Sequence, residues 1–313
     1  MTTTSRATTI AGIDRDLFPL CLGGNVFGWT ADEPASFAVL DAYAAAGGNL
    51  IDTADIYADG RSEAIVGDWM AARGNRDDVV VATKVGLGGA GLAAETIRSH
   101  AETSLRRLRT DRIDLYYAHA DDPDTPLEET LAAFDELVRA GKVRAIAASN
   151  YGPERLAEAL ALSEREGLAR FAALQPHYNL VERAAYEGPL SELAARESLP
   201  VLPYFALAKG FLTGKYRPDA ETPASERAAG ARTYLDARGV ALLAALDEIA
   251  AVHATSVAAV SLAWLRMQPT VLAPIASART PEQLAELLPG ASVELTGEQL
   301  ARLDAASSGA HAD

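Results

Sequence analysis

The sequence predicts a single-domain α/β fold, a (β/α)8 TIM barrel spanning residues 1–313, and three observations support it. Short apolar runs alternate eight times with longer segments of helical periodicity. The short runs are almost continuously hydrophobic, as expected for parallel strands buried on both faces. No linker or internal repeat divides the chain, and α/β barrels commonly exceed about 200 residues in one domain. A doubly wound open sheet is the alternative, but the eight repeats favour the barrel.

The predicted strands are the apolar runs at residues 20–23, 49–53, 79–85, 113–119, 143–149, 172–179, 200–206 and 271–277. The segments between them carry apolar residues three and four positions apart, which is typical of helices. These segments are residues 34–46, 62–73, 95–109, 126–140, 153–166 and 190–197, with two more helices between 240 and 267. Gly47, Gly74, Gly141 and Gly167 follow four of them, as glycine does in left-handed C-caps.

Three further segments carry predictions. Residues 10–18 are expected to form a short hairpin that closes the bottom of the barrel, and residues 307–313 a flexible tail, with extra helices near the C-terminus. The longest irregular stretch, residues 207–232, follows the seventh strand. A loop of that length is usually functional, so we expect it over the catalytic mouth of the barrel.

Composition excludes several classes of function. The chain has 49% hydrophobic residues and a net charge of −15, which argues against nucleic acid or an anionic membrane as a partner. The single cysteine, Cys21, cannot form an internal disulfide or a metal site alone, and no metal-ligand motif is present. No secretory signal or long apolar span occurs, so a soluble cytoplasmic protein is expected. The sequence makes no prediction of oligomeric state.

Polar residues end the predicted strands at the edge where barrel enzymes place their active sites. Asp52 ends the second strand, with Tyr57 five residues on, Lys84 lies near the end of the third, and His119 ends the fourth. Each alone has an ordinary structural explanation, as a cap, a solvent-facing amine or a hydrogen-bonded imidazole. Together at one rim they form an acid–base set.

The chemistry of these side chains indicates a reduction. A phenol titrates near pH ~10, and the ammonium of Lys84 is expected to lower the pKa of Tyr57. Asp52 would keep Lys84 charged and oriented, while His119 can donate a hydrogen bond to a carbonyl oxygen. Such a site stabilises a developing alkoxide and protonates it. No side chain donates hydride, so a cofactor is required.

The motifs around these residues resemble those of the aldo-keto reductase superfamily, in particular bacterial NADPH-dependent members. The matching segments are residues 49–57, 60–63, 83–85, 104–119, 141–150, 174–180 and 210–216. The resemblance spans residues 20–288 and implies a catalytic tetrad of Asp52, Tyr57, Lys84 and His119 with NADPH (NADP+) as cofactor.

The resemblance also implies contacts to the dinucleotide. Ser149, Asn150 and Gln175 are expected at the nicotinamide carboxamide, and Tyr204 against its ring. Arg279 suits a 2′-phosphate and favours NADPH over NADH, with an ordinary surface charge as the alternative. The other expected cofactor contacts are Gly24, Asn25, Phe205, Leu207, Lys209, Gly210, Ser277 and Gln283.

Two segments depart from the family pattern. Residues 204–210 read Tyr-Phe-Ala-Leu-Ala-Lys-Gly where the family often has Tyr-Ser-Pro-Leu-Gly-Arg-Gly, and Ala276, Ala278 and Leu287 also differ. These departures weaken the match at the expected pyrophosphate and adenosine contacts and leave the tetrad unchanged.

A glycine-rich stretch at residues 86–91 reads G-x-G-x-x-G, which is also a dinucleotide-binding fingerprint. It follows the third strand rather than the first, so a loop near the substrate mouth is the favoured interpretation.

The predicted function is NADPH-dependent reduction of a small-molecule aldehyde or ketone, with the proton from Tyr57. Phe27 and Trp29 are expected to line an apolar or aryl substrate pocket, although Trp29 could be loop packing. One alternative is a reductase of an activated C=C bond or a keto-sugar intermediate, which His119 makes less favoured. Another is a non-catalytic NADPH-binding regulatory subunit, because channel β-subunits resemble this family.

Overall fold

Parallel strands form a curled sheet at the centre of the molecule. The computed structural model describes residues 8–218, 220–221 and 225–308. The strands are β1 Cys21–Gly23, β2 Leu50–Asp52, β3 Val80–Val85, β4 Ile113–Ala118, β5 Val143–Ser149, β6 Phe171–Gln175 and β7 Ile275–Ala276. Their order is β6-β5-β4-β3-β2-β1-β7, and every neighbouring pair is parallel.

The gap between β6 and β7 is closed by single bridges in place of the predicted seventh strand. Val201 pairs in parallel with Leu174 on one side and with Val271 on the other. Proline lacks the N–H that a ladder needs, and Pro200 and Pro203 interrupt this segment. The predicted eighth strand is likewise shortened to two residues. With these bridges the sheet is the predicted (β/α)8 barrel.

Helices surround the sheet, and each predicted helix is present within a few residues. They are α1 Glu33–Ala45, α2 Arg61–Arg73, α3 Ala94–Arg107, α4 Leu127–Arg139, α5 Pro153–Glu166, α6 Pro189–Arg196, α7 Ala228–Arg232, α8 Ala237–Val252, α9 Val257–Arg266, α10 Pro281–Leu287 and α11 Gly297–Ser307. Side-chain caps start several of them, for example Asp32, whose Oδ1 accepts a hydrogen bond from Ala35 N at 2.9 Å. Gly74 and Gly167 end α2 and α5 in the predicted left-handed conformation.

The N-terminal segment packs against the lower end of the barrel. Ile10 and Ile13 form one antiparallel bridge, so residues 10–18 make a tight turn with a single bridge. Ile10, Ile13 and Leu17 join the apolar cluster inside the barrel. At the other terminus Ser307 is buried and ends α11, while residues 309–313 of the predicted tail lie outside the described residues.

Alternation along β3 assigns its side chains to two layers. Val80 and Ala82 belong to the cluster inside the barrel, and Val81 and Val85 to the cluster beneath the helices. Because strand side chains alternate, Lys84 shares the inner face with Val80, and Thr83 faces the helices. In the described part of the chain, no single helix has the length and apolarity to cross a membrane, and α8 with α9 passes that test only as a pair bent by 95°.

Candidate active site

The carboxyl ends of the strands surround a cavity of about 780 Å³. Asp52, Tyr57 and His119 line it, and Lys84 lies buried beneath them. The structure therefore brings together the four residues proposed as a tetrad, although they lie up to 67 positions apart in the sequence.

Lys84 forms a buried ion pair with Asp52. Its Nζ lies 2.6 Å from Asp52 Oδ2 and donates to the Thr53 carbonyl at 2.7 Å. Burial alone would lower the pKa of Lys84, but the charges of Asp52 and Tyr57 outweigh it and raise that pKa. Lys84 is therefore a permanent cation below the cavity at neutral pH.

Tyr57 begins the short 3-10 turn Tyr57–Gly60 after β2, and its ring lies above Lys84. The Lys84 Nζ is 5.0 Å from the centroid of the Tyr57 ring. Burial raises the pKa of Tyr57, and the opposing charge of Lys84 does not fully compensate. Lys84 lowers the pKa of Tyr57 as expected, but desolvation of the phenolate outweighs this effect, so the net shift is upward.

His119 follows β4 and meets Tyr57 edge to face, with ring centroids 6.0 Å apart. Burial, followed by the charge of Lys84, lowers the pKa of His119 to about 3. The imidazole is thus neutral at physiological pH. Its Nδ1 is buried without a hydrogen-bond partner among the described residues.

Amide and hydroxyl side chains connect the rim to these groups. Gln175 Nε2 donates to Asp52 Oδ1 at 2.9 Å, and Asn150 Nδ2 donates to the His119 carbonyl at 2.8 Å. Tyr204 Oη donates to Asn150 Oδ1 at 2.7 Å. All three of these side chains line the cavity, and so does Ser149, whose Oγ donates to the Gln175 carbonyl.

The opposite end of the cavity is built by the segments after the first and last strands. Ser277 Oγ donates to Asn25 Oδ1 at 2.7 Å, and Arg279 N donates to Gln283 Oε1 at 3.0 Å. The other proposed cofactor residues found in the cavity wall are Phe205, Leu207, Lys209 and Gly210.

Two proposed site residues do not reach the cavity. Gly24 turns away, because its N–H donates to the Asp52 carbonyl and its own carbonyl accepts from Ser62, and Gly23 lines the cavity in its place. Phe27 is 0% exposed in the core, so its assignment as a substrate wall was wrong. Trp29, which is 51% exposed, does line the cavity. The apolar pair at residues 26–27 was the sequence signal that one of these aromatics packs inward.

Two cations that the sequence analysis missed also line the cavity, Lys215 and Arg227. With Lys209 and Arg279 they make a set of four, called here the cation cluster. Across the described ranges none of the four is ion-paired with a carboxylate. Burial, then the nearby charges of Arg279 and Arg227, lowers the pKa of Lys215. In a chain of net charge −15, such a cluster indicates a site for a polyanion.

Aromatic rings hold one member of the cluster across the mouth. The guanidinium of Arg227 lies 5.6 Å from the centroid of Trp29 and 5.9 Å from that of Phe205. Trp29 precedes α1, whereas Phe205 follows the bridged segment around Val201 that stands in place of the predicted seventh strand. Arg227 therefore links two sides of the cavity through cation–π contacts.

The part of the chain that the structure describes contains no cluster of side chains that could bind a metal ion. No group of three or more His, Cys, Asp or Glu side chains there could hold a metal ion. A phenol, an imidazole and a set of cations line the cavity, with an ammonium buried beneath them.

Comparison with known proteins identifies the class of protein to which this chain belongs. Residues 19–308 match the family model described as the aldo/keto reductase family. The chain belongs to this family and is therefore an oxidoreductase of the kind that uses a nicotinamide cofactor.

Individual relatives agree with this assignment. The chain is 35% identical to the uncharacterized oxidoreductase YrpG of Bacillus subtilis, over 91% of this chain and 90% of that protein. It is 32% identical to an aryl-alcohol dehydrogenase [NADP(+)] of Phanerodontia chrysosporium, over 87% and 75% of the two chains. The solved glycerol dehydrogenase AKR11B4 from Gluconobacter oxydans superposes with a TM-score of 0.83 at 29% identity, covering 96% and 94%.

Proposed function

We propose that this protein is an NADPH-dependent reductase of aldehydes or ketones in which Tyr57 donates the proton. The observation that carries the proposal is one cavity with Tyr57, His119 and the Lys84–Asp52 pair at its base and four cations free of carboxylate partners in its wall. The groups at the base of the cavity can stabilise and protonate an alkoxide, and the four cations in its wall can bind the phosphates of a cofactor.

The residues present fit a dinucleotide with an added phosphate. NADPH would supply the hydride to the carbonyl carbon. Arg279, beside the start of α10, is proposed to hold the 2′-phosphate, and Lys215 and Arg227 the diphosphate. Asn150 and Gln175 offer amide groups for a carboxamide, and the Tyr204 ring is proposed to lie against the nicotinamide.

The pKa directions support the roles of the catalytic side chains. The phenol of Tyr57 is protonated at neutral pH; burial raises its pKa and opposes proton release, whereas the charge of Lys84 lowers that pKa and favours release. Lys84 stabilises the phenolate that remains after proton transfer, and Asp52 keeps Lys84 in place. Neutral His119 can donate a hydrogen bond to the carbonyl oxygen without carrying a competing charge.

The first experiment measures NADPH oxidation over a panel of aldehydes, ketones and keto-sugars. Aryl aldehydes belong in the panel, because Trp29 and Leu87 give the cavity an apolar rim and one relative is an aryl-alcohol dehydrogenase. Tyr57→Phe is expected to lower kcat by about 10²–10⁴-fold, while the dissociation constant of NADPH stays within about twofold. Tyr151→Phe is a matched control, since that buried phenol lies outside the cavity.

Full activity in Tyr57→Phe would refute the role of the phenol. Saturation of a C=C bond in the products would point instead to alkene reduction. Tight NADPH binding without turnover on any substrate would favour the regulatory alternative.

The second experiment tests the choice of cofactor. Arg279→Ala is expected to weaken NADPH binding about tenfold or more and to change NADH binding by less than about threefold, whereas Lys215→Ala, at the proposed diphosphate site, should weaken the binding of both cofactors. Arg217→Ala is the matched control, because Arg217 lies outside the cavity and pairs with Asp247. Equal losses for both cofactors in Arg279→Ala would contradict a 2′-phosphate site at this residue.

A further inference from the structure

The turn that carries Tyr57 is strained. Ala58 and Asp59, the two residues after Tyr57, have left-handed backbone conformations, with φ of 49° and 57°. This conformation costs about 1–2 kcal/mol for each residue other than glycine. The turn therefore needs support from its surroundings to hold the phenol in one position.

Arg107, the last residue of α3, provides contacts to both ends of this turn. Its Nη1 donates to the Asp55 carbonyl, two residues before Tyr57, at 3.1 Å. Its guanidinium also lies directly against Gly60, where an added Cβ would fall 2.1 Å from Arg107 Cζ. Arg107 thus occupies the space beneath the turn and touches the backbone on either side of the phenol.

Glu63 fixes the position of Arg107. It is 0% exposed, and its Oε2 accepts from Arg107 Nη1 at 3.2 Å. Its Oε1 accepts from Thr83 Oγ1 at 2.6 Å. Thr83 precedes Lys84 on β3, so one carboxylate connects the strand of the lysine to the support of the tyrosine turn.

The cost of burying Glu63 indicates that it is retained for a purpose. Burial raises the pKa of Glu63 in spite of its hydrogen bonds from Thr83 and Arg107. The Arg107 side chain is 33% exposed, so its pair with the buried Glu63 is partly solvated and is expected to add little net stability. Geometric definition of the turn is a function that such a pair can serve.

We propose that Arg107, held by Glu63, is a positioning residue that fixes the Tyr57 turn above Lys84. Neither side chain lines the cavity, so both act through the backbone of residues 55–60. The kinetic part of this inference rests on the proposed function, in which Tyr57 is the acid.

Hydrogen–deuterium exchange tests the support without any enzymatic activity. In Arg107→Ala the amides of residues 54–60 are expected to exchange about tenfold faster or more, a change equivalent to about 1.4 kcal/mol. Arg107→Lys should give a smaller increase in exchange, because the ammonium can keep one of the two contacts but not both. The matched control is Arg106→Ala, since the neighbouring Arg106 is exposed and its guanidinium, among the described residues, donates to Thr103 and not to the turn.

Kinetics test the consequence for catalysis. Arg107→Ala is expected to lower kcat about tenfold to a hundredfold, as misplacement of a reacting group by about 1 Å can do. The dissociation constant of NADPH should stay within twofold, and millimolar guanidinium should restore part of kcat. Glu63→Gln should give the same pattern at smaller amplitude.

Wild-type exchange in residues 54–60 of both Arg107 variants would overturn the proposal. So would an equal rise in exchange across the whole of Arg107→Ala, because that indicates a general loss of stability. If the wild-type protein reduces no carbonyl, the proposed function fails, and the exchange data alone still decide whether Arg107 holds the turn.

Discussion

Replacement of Lys84 by Met leaves the carboxylate of Asp52 buried without its cation. The side chains of Lys84 and Asp52 are 0% and 4% exposed, and Nζ and Oδ2 are 2.6 Å apart. In Lys84→Met, Asp52 keeps one hydrogen bond, from Gln175. Loss of one partner from a buried pair costs about 3–5 kcal/mol.

The charge-balanced double variant should be much less destabilised. The attraction within the pair is about 6 kcal/mol at an effective dielectric constant of about 20. Removing two charges from water costs several kcal/mol for each ion, so the net stabilisation by the pair is small. We expect Lys84→Met/Asp52→Asn to lose about 1–2 kcal/mol, against about 6–10 kcal/mol for the sum of the two single variants.

Equilibrium unfolding in urea, followed by tryptophan fluorescence, measures these free energies. Differential scanning fluorimetry gives a second measure, since about 2 °C of melting temperature corresponds to 1 kcal/mol in a chain of this size. Each single variant should melt roughly 6–10 °C below the wild type, and the double variant only roughly 2–4 °C below it.

Additivity of the two single losses in the double variant, within about 0.5 kcal/mol, would refute this reasoning. It would mean that Lys84 and Asp52 contribute to stability independently of each other. The expected non-additivity, with a small loss in the double variant, would mean that the two charges depend on each other and that the pair adds little net stability.

Three further predictions concern pH, the lower end of the barrel and the substrate rim. The pKa of His119 in the folded protein is about 3, below its value in the unfolded chain, so the free energy of unfolding should fall as pH drops from about 6.5 towards 3. His119→Gln should reduce that loss, as measured by urea titrations at each pH. The buried carboxylate of Asp114 accepts a hydrogen bond from Val81 N and pairs with Arg76 at 2.7 Å. Asp114→Ala should therefore lower the free energy of unfolding in urea by about 3–5 kcal/mol, and a loss below about 1 kcal/mol would contradict this. Trp29→Ala should raise KM for aryl aldehydes several-fold more than KM for short aliphatic ones, and equal KM changes would assign Trp29 to loop packing.

Local periodicity was enough to predict most of the fold. The helices and β1–β6 follow from patterns that can be seen in windows of about ten residues. The seventh and eighth strands were overestimated, because apolar content does not report pairing. Pro203 and Pro274 lie inside those runs, and each removes a backbone donor from the ladder.

The candidate site was predictable where it depends on strand ends. The rule that barrel strands end at one rim was sufficient to group Asp52, Lys84 and His119 before any distance was known. The sign of the pKa shift of Tyr57 was not predictable, because it is a difference between burial and charge that depends on distances.

Residues in irregular segments were the hardest to place. Lys215 and Arg227 lie in the stretch 207–232, where no periodicity tells which side chains point inward. The same holds for Phe27 and Trp29, two aromatics on one turn that take opposite directions. Sequence alone could count the cations of this stretch but could not orient them.

Adjacent side chains of β3 lie on opposite faces of the barrel wall, so the inward position of Lys84 depends on the number of residues that precede it in the strand. Thr83 binds Glu63 in the outer layer, while Lys84 pairs with Asp52 in the inner one. Gain or loss of one residue within this strand would exchange the two positions and turn the ammonium outward, among the helices. Only an insertion or deletion of an even number of residues in this strand would leave the ammonium on the inner face.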